Sequence, residues 1–147
     1  MTEHKHKVIM FIETPDAIHI LHDLRIHASA RSSFLIGVDG HAGAGKTCFA
    51  RWLGNNLEMP VVSLDAYKII DNGPASWRFG ELIRDLGPRL IVEGARLCAA
   101  MQAIDRNVDV LIWIDNAEIQ ATPQPQCSEE YLVEFDPIMT ADHCLTW

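Results

Sequence analysis

Gly40-His41-Ala42-Gly43-Ala44-Gly45-Lys46-Thr47 spells G-x-x-x-x-G-K-T, the spacing that wraps a backbone around phosphate. The apolar run Phe34-Leu35-Ile36-Gly37-Val38 precedes it and a helical pattern follows, so strand, loop and helix stand in the order this P-loop motif requires. Gly40, Gly43 and Gly45 let the chain curl until successive N–H groups face phosphate oxygens. The helix that opens near Lys46, with Cys48 in its first turn, adds the positive end of its dipole. Residues 40–48 are therefore the expected nucleotide-binding stretch. The Lys46 ammonium is placed to bridge β- and γ-phosphates, and the Thr47 hydroxyl to ligate Mg²⁺.

Three acids have the setting to add chemistry. Asp65 ends the apolar run Val61-Val62-Ser63-Leu64. A carboxylate there either accepts a proton from an acceptor hydroxyl during phosphoryl transfer or caps the next turn. Glu93 ends Leu90-Ile91-Val92, the Walker-B-like pattern that holds Mg²⁺ through water or orients a nucleophile. Asp39, just before the loop, either keeps water on the metal or bonds the loop backbone. Asp115 reads as a strand-end turn residue. The candidate catalytic set is Lys46, Asp65 and Glu93, and the candidate metal set is Thr47 and Glu93.

These side chains need a scaffold, and the hydrophobic periodicity describes one. Val8–Ile12 reads as a short strand. Thr14-Pro15-Asp16 opens a helix whose Ala17, Ile20, Leu21, Leu24 and Ala28 share one face. Ser33–Asp39 is a strand buried on both faces. The helix after the loop carries Phe49, Trp52, Leu53 and Asn56 on one side, its end weakened by Gly54-Asn55-Asn56, and a strand follows at Pro60–Leu64. Residues 70–75 read as a loop, and Ser76 as the cap of a helix carrying Phe79, Leu82, Ile83 and Leu86. Further strands fall at Leu90–Val92 and Val108–Ile114, with a helix through Leu97, Ala100, Met101 and Ile104 between them. The Pro- and Gln-rich run 122–126 is non-regular, Ser128 opens a short helix, and Ala141–Thr146 is a last edge strand. Strands alternating with helices define an α/β fold, a parallel sheet with helices on both faces, which binds ligands beyond the C-terminal ends of its strands.

Composition narrows the function. A chain of 147 residues, 48% hydrophobic, supports one globular domain, 1–147, with 1–13 as an extra strand or arm. Its formal charge of −8 argues against a non-specific nucleic-acid binder. Cys48, Cys98, Cys127 and Cys144 form no C-x-x-C pair, which points to reduced thiols and a cytoplasmic setting. His4-Lys5-His6-Lys7 reads as a polar terminus rather than a metal site. No apolar run is long enough to cross a bilayer, so no membrane partner is expected. The apolar end Cys144-Leu145-Thr146-Trp147 suggests a surface covered by a second copy in a homodimer.

At these residues the chain resembles the uridine kinase-like branch of the P-loop small-molecule kinases, the group that includes phosphoribulokinase and pantothenate kinase relatives. Ile36-Gly37-Val38-Asp39-Gly40 through Thr47 is similar to that family's first strand and loop. Ser63-Leu64-Asp65-Ala66-Tyr67 is similar to its S-x-D-D-F-Y, Ile91-Val92-Glu93-Gly94 to its I-V-E-G, and Ala141-Asp142 to the start of its final strand. The resemblance implies a P-loop NTPase fold with a five-stranded parallel sheet. It implies transfer of the γ-phosphoryl of ATP, with Mg²⁺, to a hydroxyl of a small molecule, possible nucleosides among them. Asp65 would then face the acceptor, and Glu93 the metal or acceptor. The chain departs from the family at Ala66, where the family has its second Asp, and in a short stretch between Tyr67 and Ile91. It also lacks an Arg-rich lid, since Arg106 is its last Arg or Lys. Arg51, Arg78 or Arg96, or a neighbouring subunit, would have to supply that charge. A nucleotide-binding protein, hydrolase or regulator without transfer activity is the alternative. No N-K-x-D motif marks a guanine reader.

Overall fold

The computed structural model describes residues 14–69, 76–116 and 129–146. The expected strand at 8–12 and the loops at 70–75 and 122–126 lie outside the described residues. Helix α1, Pro15–Ser29, starts where Thr14 accepts the Ala17 amide through its hydroxyl, and it buries Ala17, Ile20, Leu21, Leu24 and Ala28. Strand β1, Phe34–Gly40, follows, and all seven of its residues are buried. Then come α2 (Lys46–Leu57), β2 (Val61–Ser63), a 3₁₀ turn at Leu64–Tyr67 and the short strands β3 (Lys68–Ile69) and β4 (Ser76–Trp77). They are followed by α3 (Phe79–Asp85), β5 (Arg89–Glu93), α4 (Leu97–Ala103), β6 (Val110–Asp115), α5 (Glu129–Phe135), α6 (Pro137–Thr140) and β7 (His143–Thr146).

The main sheet runs β2-β5-β1-β6-β7, with every pairing parallel, while β3 and β4 form a separate antiparallel pair. Alternation along β1 divides the core. Phe34, Ile36 and Val38 join Ile91, Ile112, Ile114 and Leu145 against α1 and α2. Leu35 joins Leu90, Val92 and Leu111 against α3 and α4. Gly37 and Asp39 share the Leu35 face, and a methyl on Gly37 would lie 2.9 Å from side-chain atoms of Leu97 and Val108. The register is pinned by a repeated device. Asp109 takes the Leu35 amide with its carboxylate (2.8 Å) and gives its own amide to the Leu35 carbonyl (2.7 Å). Asp142 does the same to Leu111 one strand further out, with both bonds at 2.8 Å.

Several expected boundaries shift by one or two residues. Helix α2 ends just after Gly54-Asn55-Asn56, at Leu57, on a left-handed Glu58. Gly54 sits inside the helix because the backbone after it passes close by. A Cβ there would lie 2.8 Å from both the Met59 carbonyl oxygen and Val61 Cγ2. Ser76 does not cap α3; it pairs with Ile69, and Arg78 holds the cap position without a side-chain cap bond. Ile83 is 54% exposed, so the buried stripe of α3 is narrower than its spacing suggests.

Gly54→Ala would normally gain roughly 1 kcal/mol from helix propensity. Here the added methyl overpacks the α2–β2 turn, and the expected net result is a loss of about 1–3 kcal/mol in urea unfolding. A stabilised variant would contradict this account of the glycine.

Candidate functional site

Beyond the C-terminal ends of β1, β2 and β5 lies a cavity of about 260 Å³. Its walls include Gly43, Gly45, Lys46 and Thr47 from the loop and α2, Asp65 from the 3₁₀ turn, and Glu93 from the end of β5. Ala42, Cys48 and Ala95 complete the lining. The sheet explains the convergence. Ser63 and Val38 both pair with Glu93, so β2 and β5 end together while β1 runs two residues further, to Gly40, before the loop turns back over them. Glu93 shares the Ile91 face, toward α2, where its Oε1 accepts a hydrogen bond from Thr47 Oγ1 at 3.1 Å. The two candidate metal ligands are thus in contact, with Glu93 only 1% exposed. Asp65 is exposed in the first turn of the 3₁₀ segment, a solvent-facing wall of the same cavity.

The phosphate loop has its expected curl, with Gly43 at φ 78° and Gly45 at φ 100°, both in the region that favours glycine. Gly40 is required for space: a methyl there would collide with the Ile114 carbonyl oxygen of β6. The Gly40 amide donates to Asp39 Oδ1 at 2.8 Å, so Asp39 bonds the loop backbone, one of the two roles expected of it. Gly40 is not among the cavity-lining residues. His41 and Ala44 shape the loop from within: the Ala44 amide donates to the His41 carbonyl at 3.1 Å, and Lys46 Nζ donates to the same carbonyl at 2.6 Å. The His41 ring turns away and meets Trp113 edge-on, with centroids 5.4 Å apart. Cys48 is exposed at the cavity margin.

Beneath the loop lies a group that the sequence did not announce. Tyr131 of α5, 1% exposed, donates its hydroxyl hydrogen to Asp39 Oδ2 and accepts the Cys98 amide at 3.0 Å. Burial raises the Asp39 pKa to about 6, against the opposing pull of the Tyr131 and Gly40 hydrogen bonds and the Lys46 charge. Burial, followed by the Asp39 charge, pushes the Tyr131 phenol well above its ordinary value, so it remains a donor. The available clue was Asp39 itself: a carboxylate in an otherwise apolar strand requires a buried partner.

Other expected residues lie elsewhere. Arg78 donates to the Ala66 carbonyl and pairs with Glu81 at 3.3 Å. The Arg96 guanidinium lies 5.2 Å from the Tyr131 ring centroid, and Arg51 is on the exposed face of α2. None of the three is among the cavity-lining residues. Trp77 is 6% exposed and packs on Phe79 in the core. Asp115 is the last residue of β6, where its Oδ1 accepts the Asn116 amide at 3.0 Å.

Comparison with known proteins adds a fold. A solved structure described as a possible uridine kinase from Bacillus stearothermophilus superposes with a TM-score of 0.60 at 17% identity, covering 85% of this chain and 96% of that one. The chain has a P-loop kinase-like fold. No family model and no curated protein matches it. The P-loop, β2 end and β5 end of this fold carry the residues gathered around the cavity. No described helix is long and apolar enough to cross a membrane.

The raised Asp39 pKa has a defined sign. Between about pH 4 and 6 the folded chain holds a proton on Asp39 that the unfolded chain releases, so this group's contribution to stability declines as pH rises through that window. Asp39→Asn removes the titration. The variant is expected to gain on the parent from pH 4 to pH 6.5 by up to about 3 kcal/mol in paired denaturant melts. A pH-independent difference would exclude Asp39 as the titrating group.

Proposed function

We propose that the chain binds Mg-ATP at residues 40–48 and transfers its γ-phosphoryl to a hydroxyl of a small molecule, with nucleosides the first class to test. One observation carries this reading: Lys46, Thr47, Asp65 and Glu93, from three separate parts of the chain, line one cavity. Lys46 and the loop amides would hold the phosphates. Thr47 and Glu93, already in contact, would hold Mg²⁺, which neutralises charge on the transferring group. Asp65 is the carboxylate on the solvent side, where an incoming hydroxyl would meet it, and so the candidate base or orienting group. The likeness to a possible uridine kinase supports nucleosides as acceptors.

The alternative, nucleotide binding or hydrolysis without transfer, also has an observation in its favour. Among the described residues lining the cavity, Lys46 is the one cation. An arginine on the transferring phosphoryl group is worth about 10³–10⁵ in rate.

ADP release from Mg-ATP, measured with nucleosides, pantothenate, sugars and no acceptor, separates the two readings. Transfer predicts ADP that depends on one acceptor and on Mg²⁺. Lys46→Ala should weaken nucleotide binding tenfold or more, on the order of a lost charge-assisted contact. Asp65→Ala should lower turnover by about 10²–10⁴ while leaving nucleotide affinity within about twofold. ADP release that ignores both the acceptor and Asp65 would establish the hydrolase reading instead.

A further inference from the structure

We propose that Tyr131 is a positioning residue, whose hydroxyl locks the phosphate loop and the turn after Glu93 into one rigid unit by acting through Asp39. The proposal rests on the reading of this cavity as a nucleotide site. It stands on a chain of contacts that joins three elements. The Tyr131 hydroxyl donates to Asp39 Oδ2, and the other oxygen of that carboxylate accepts the Gly40 amide at 2.8 Å, at the first residue of the loop. The same hydroxyl accepts the Cys98 amide at 3.0 Å. Cys98 lies in the first turn of α4, two residues after Arg96, whose left-handed backbone (φ 61°) carries the chain from Glu93 and Gly94 into that helix. The Cys98 thiol also reaches Asp39 Oδ2, at 3.8 Å.

The two ends of the side chain do different work. The ring is seated by Trp113, by Phe135 with centroids 5.2 Å apart, and by the Arg96 guanidinium at 5.2 Å. A phenylalanine would fill that seat equally well. The hydroxyl is the end of Tyr131 that joins the loop entry to the Glu93 turn, beside the Cys98 thiol and Leu97 amide on Asp39 and the Gly94 amide on the Val38 carbonyl (3.1 Å). Those two segments carry the opposite sides of the Thr47–Glu93 contact, so their relative placement sets the geometry offered to a metal-bound phosphate. The groups facing Asp39 are Tyr131 from α5, Cys98 from α4, Lys46 from α2 and the backbone amides of Gly40 and Leu97. Among these, Tyr131 ties a distant element to it through a buried hydroxyl.

The test compares the full-length parent with Tyr131→Phe, Asp39→Ala and the double variant, using amide hydrogen exchange and Mg-ATP binding. Tyr131→Phe should speed exchange about tenfold in 40–47 and 94–98, while β1, β5 and β6 stay within about twofold, and should weaken Mg-ATP binding about tenfold. In the Asp39→Ala background, adding Tyr131→Phe should change either readout by less than about twofold, because the path is already broken. Exchange that is unchanged in both segments, or raised evenly across the sheet, overturns the proposal, as does full additivity of the two substitutions. A parent that binds Mg-ATP and a Tyr131→Phe variant that binds equally well also overturns it, leaving the nucleotide reading intact. If the parent binds no Mg-ATP, the nucleotide reading falls, and segment-specific exchange alone decides whether Tyr131 positions the loop.

Discussion

At its last residue, Gly40, β1 has no room for a side chain. Strand pairs close on it from both sides, and at Gly40 the backbone of β6 comes so near that a single methyl would displace the Ile114 carbonyl. Everything at the site follows from that crowding. The chain must leave the sheet as bare backbone and turn through two positive-φ glycines before α2 starts at Lys46. A central parallel strand points the same way as its neighbours, so the loop that follows it lies over the ends of β5 and β2 and meets Glu93 and Asp65 without a dedicated connection.

Crowding also explains why Asp39 needs company. Its side chain falls on the α4–α5 face, where the surroundings are apolar and an unpaired carboxylate would be costly. The structure offsets part of that cost with the Tyr131 phenol, the Gly40 and Leu97 amides and the Lys46 charge. The result couples stability and site geometry: the interactions that make Asp39 tolerable also fix the Gly40 amide and, through Tyr131, the start of α4. Such a network specifies one arrangement more than it adds stability, because removing one member leaves the others buried and unpaired.

What could be read from the sequence divides along the same line. Local rules were enough for the elements nearest the loop: a doubly buried strand, a glycine-rich turn and a helix are each written in consecutive residues. The sheet could be inferred because apolar strand runs alternate with helical patterns, and acids at Asp39, Asp65 and Glu93 stand at the ends of those runs. Contacts distant in sequence were not visible. Gly54 reads as a helix breaker by propensity, yet it is a place where β2 passes close to α2. Ser76 has cap chemistry, but pairing with Ile69 takes it into β4. Tyr131 stands 92 residues from Asp39, and no periodicity links them.

The charge balance at the cavity places a physical condition on the proposed chemistry. Lys46, Asp65 and Glu93 are the charged side chains among its described lining, so the protein brings one positive and two negative groups to the proposed nucleotide site. The start of α2 contributes roughly half a unit of positive charge, and the loop amides add directed dipoles. These favour phosphate binding but do not outweigh two carboxylates. A divalent cation between Thr47 and Glu93 would reverse the balance, turning Glu93 from a repulsive neighbour into an anchor. Nucleotide binding and metal binding are therefore expected to be mutually dependent here. Asp65, exposed and able to keep its hydration, is the acid whose charge costs least to retain until an acceptor hydroxyl arrives.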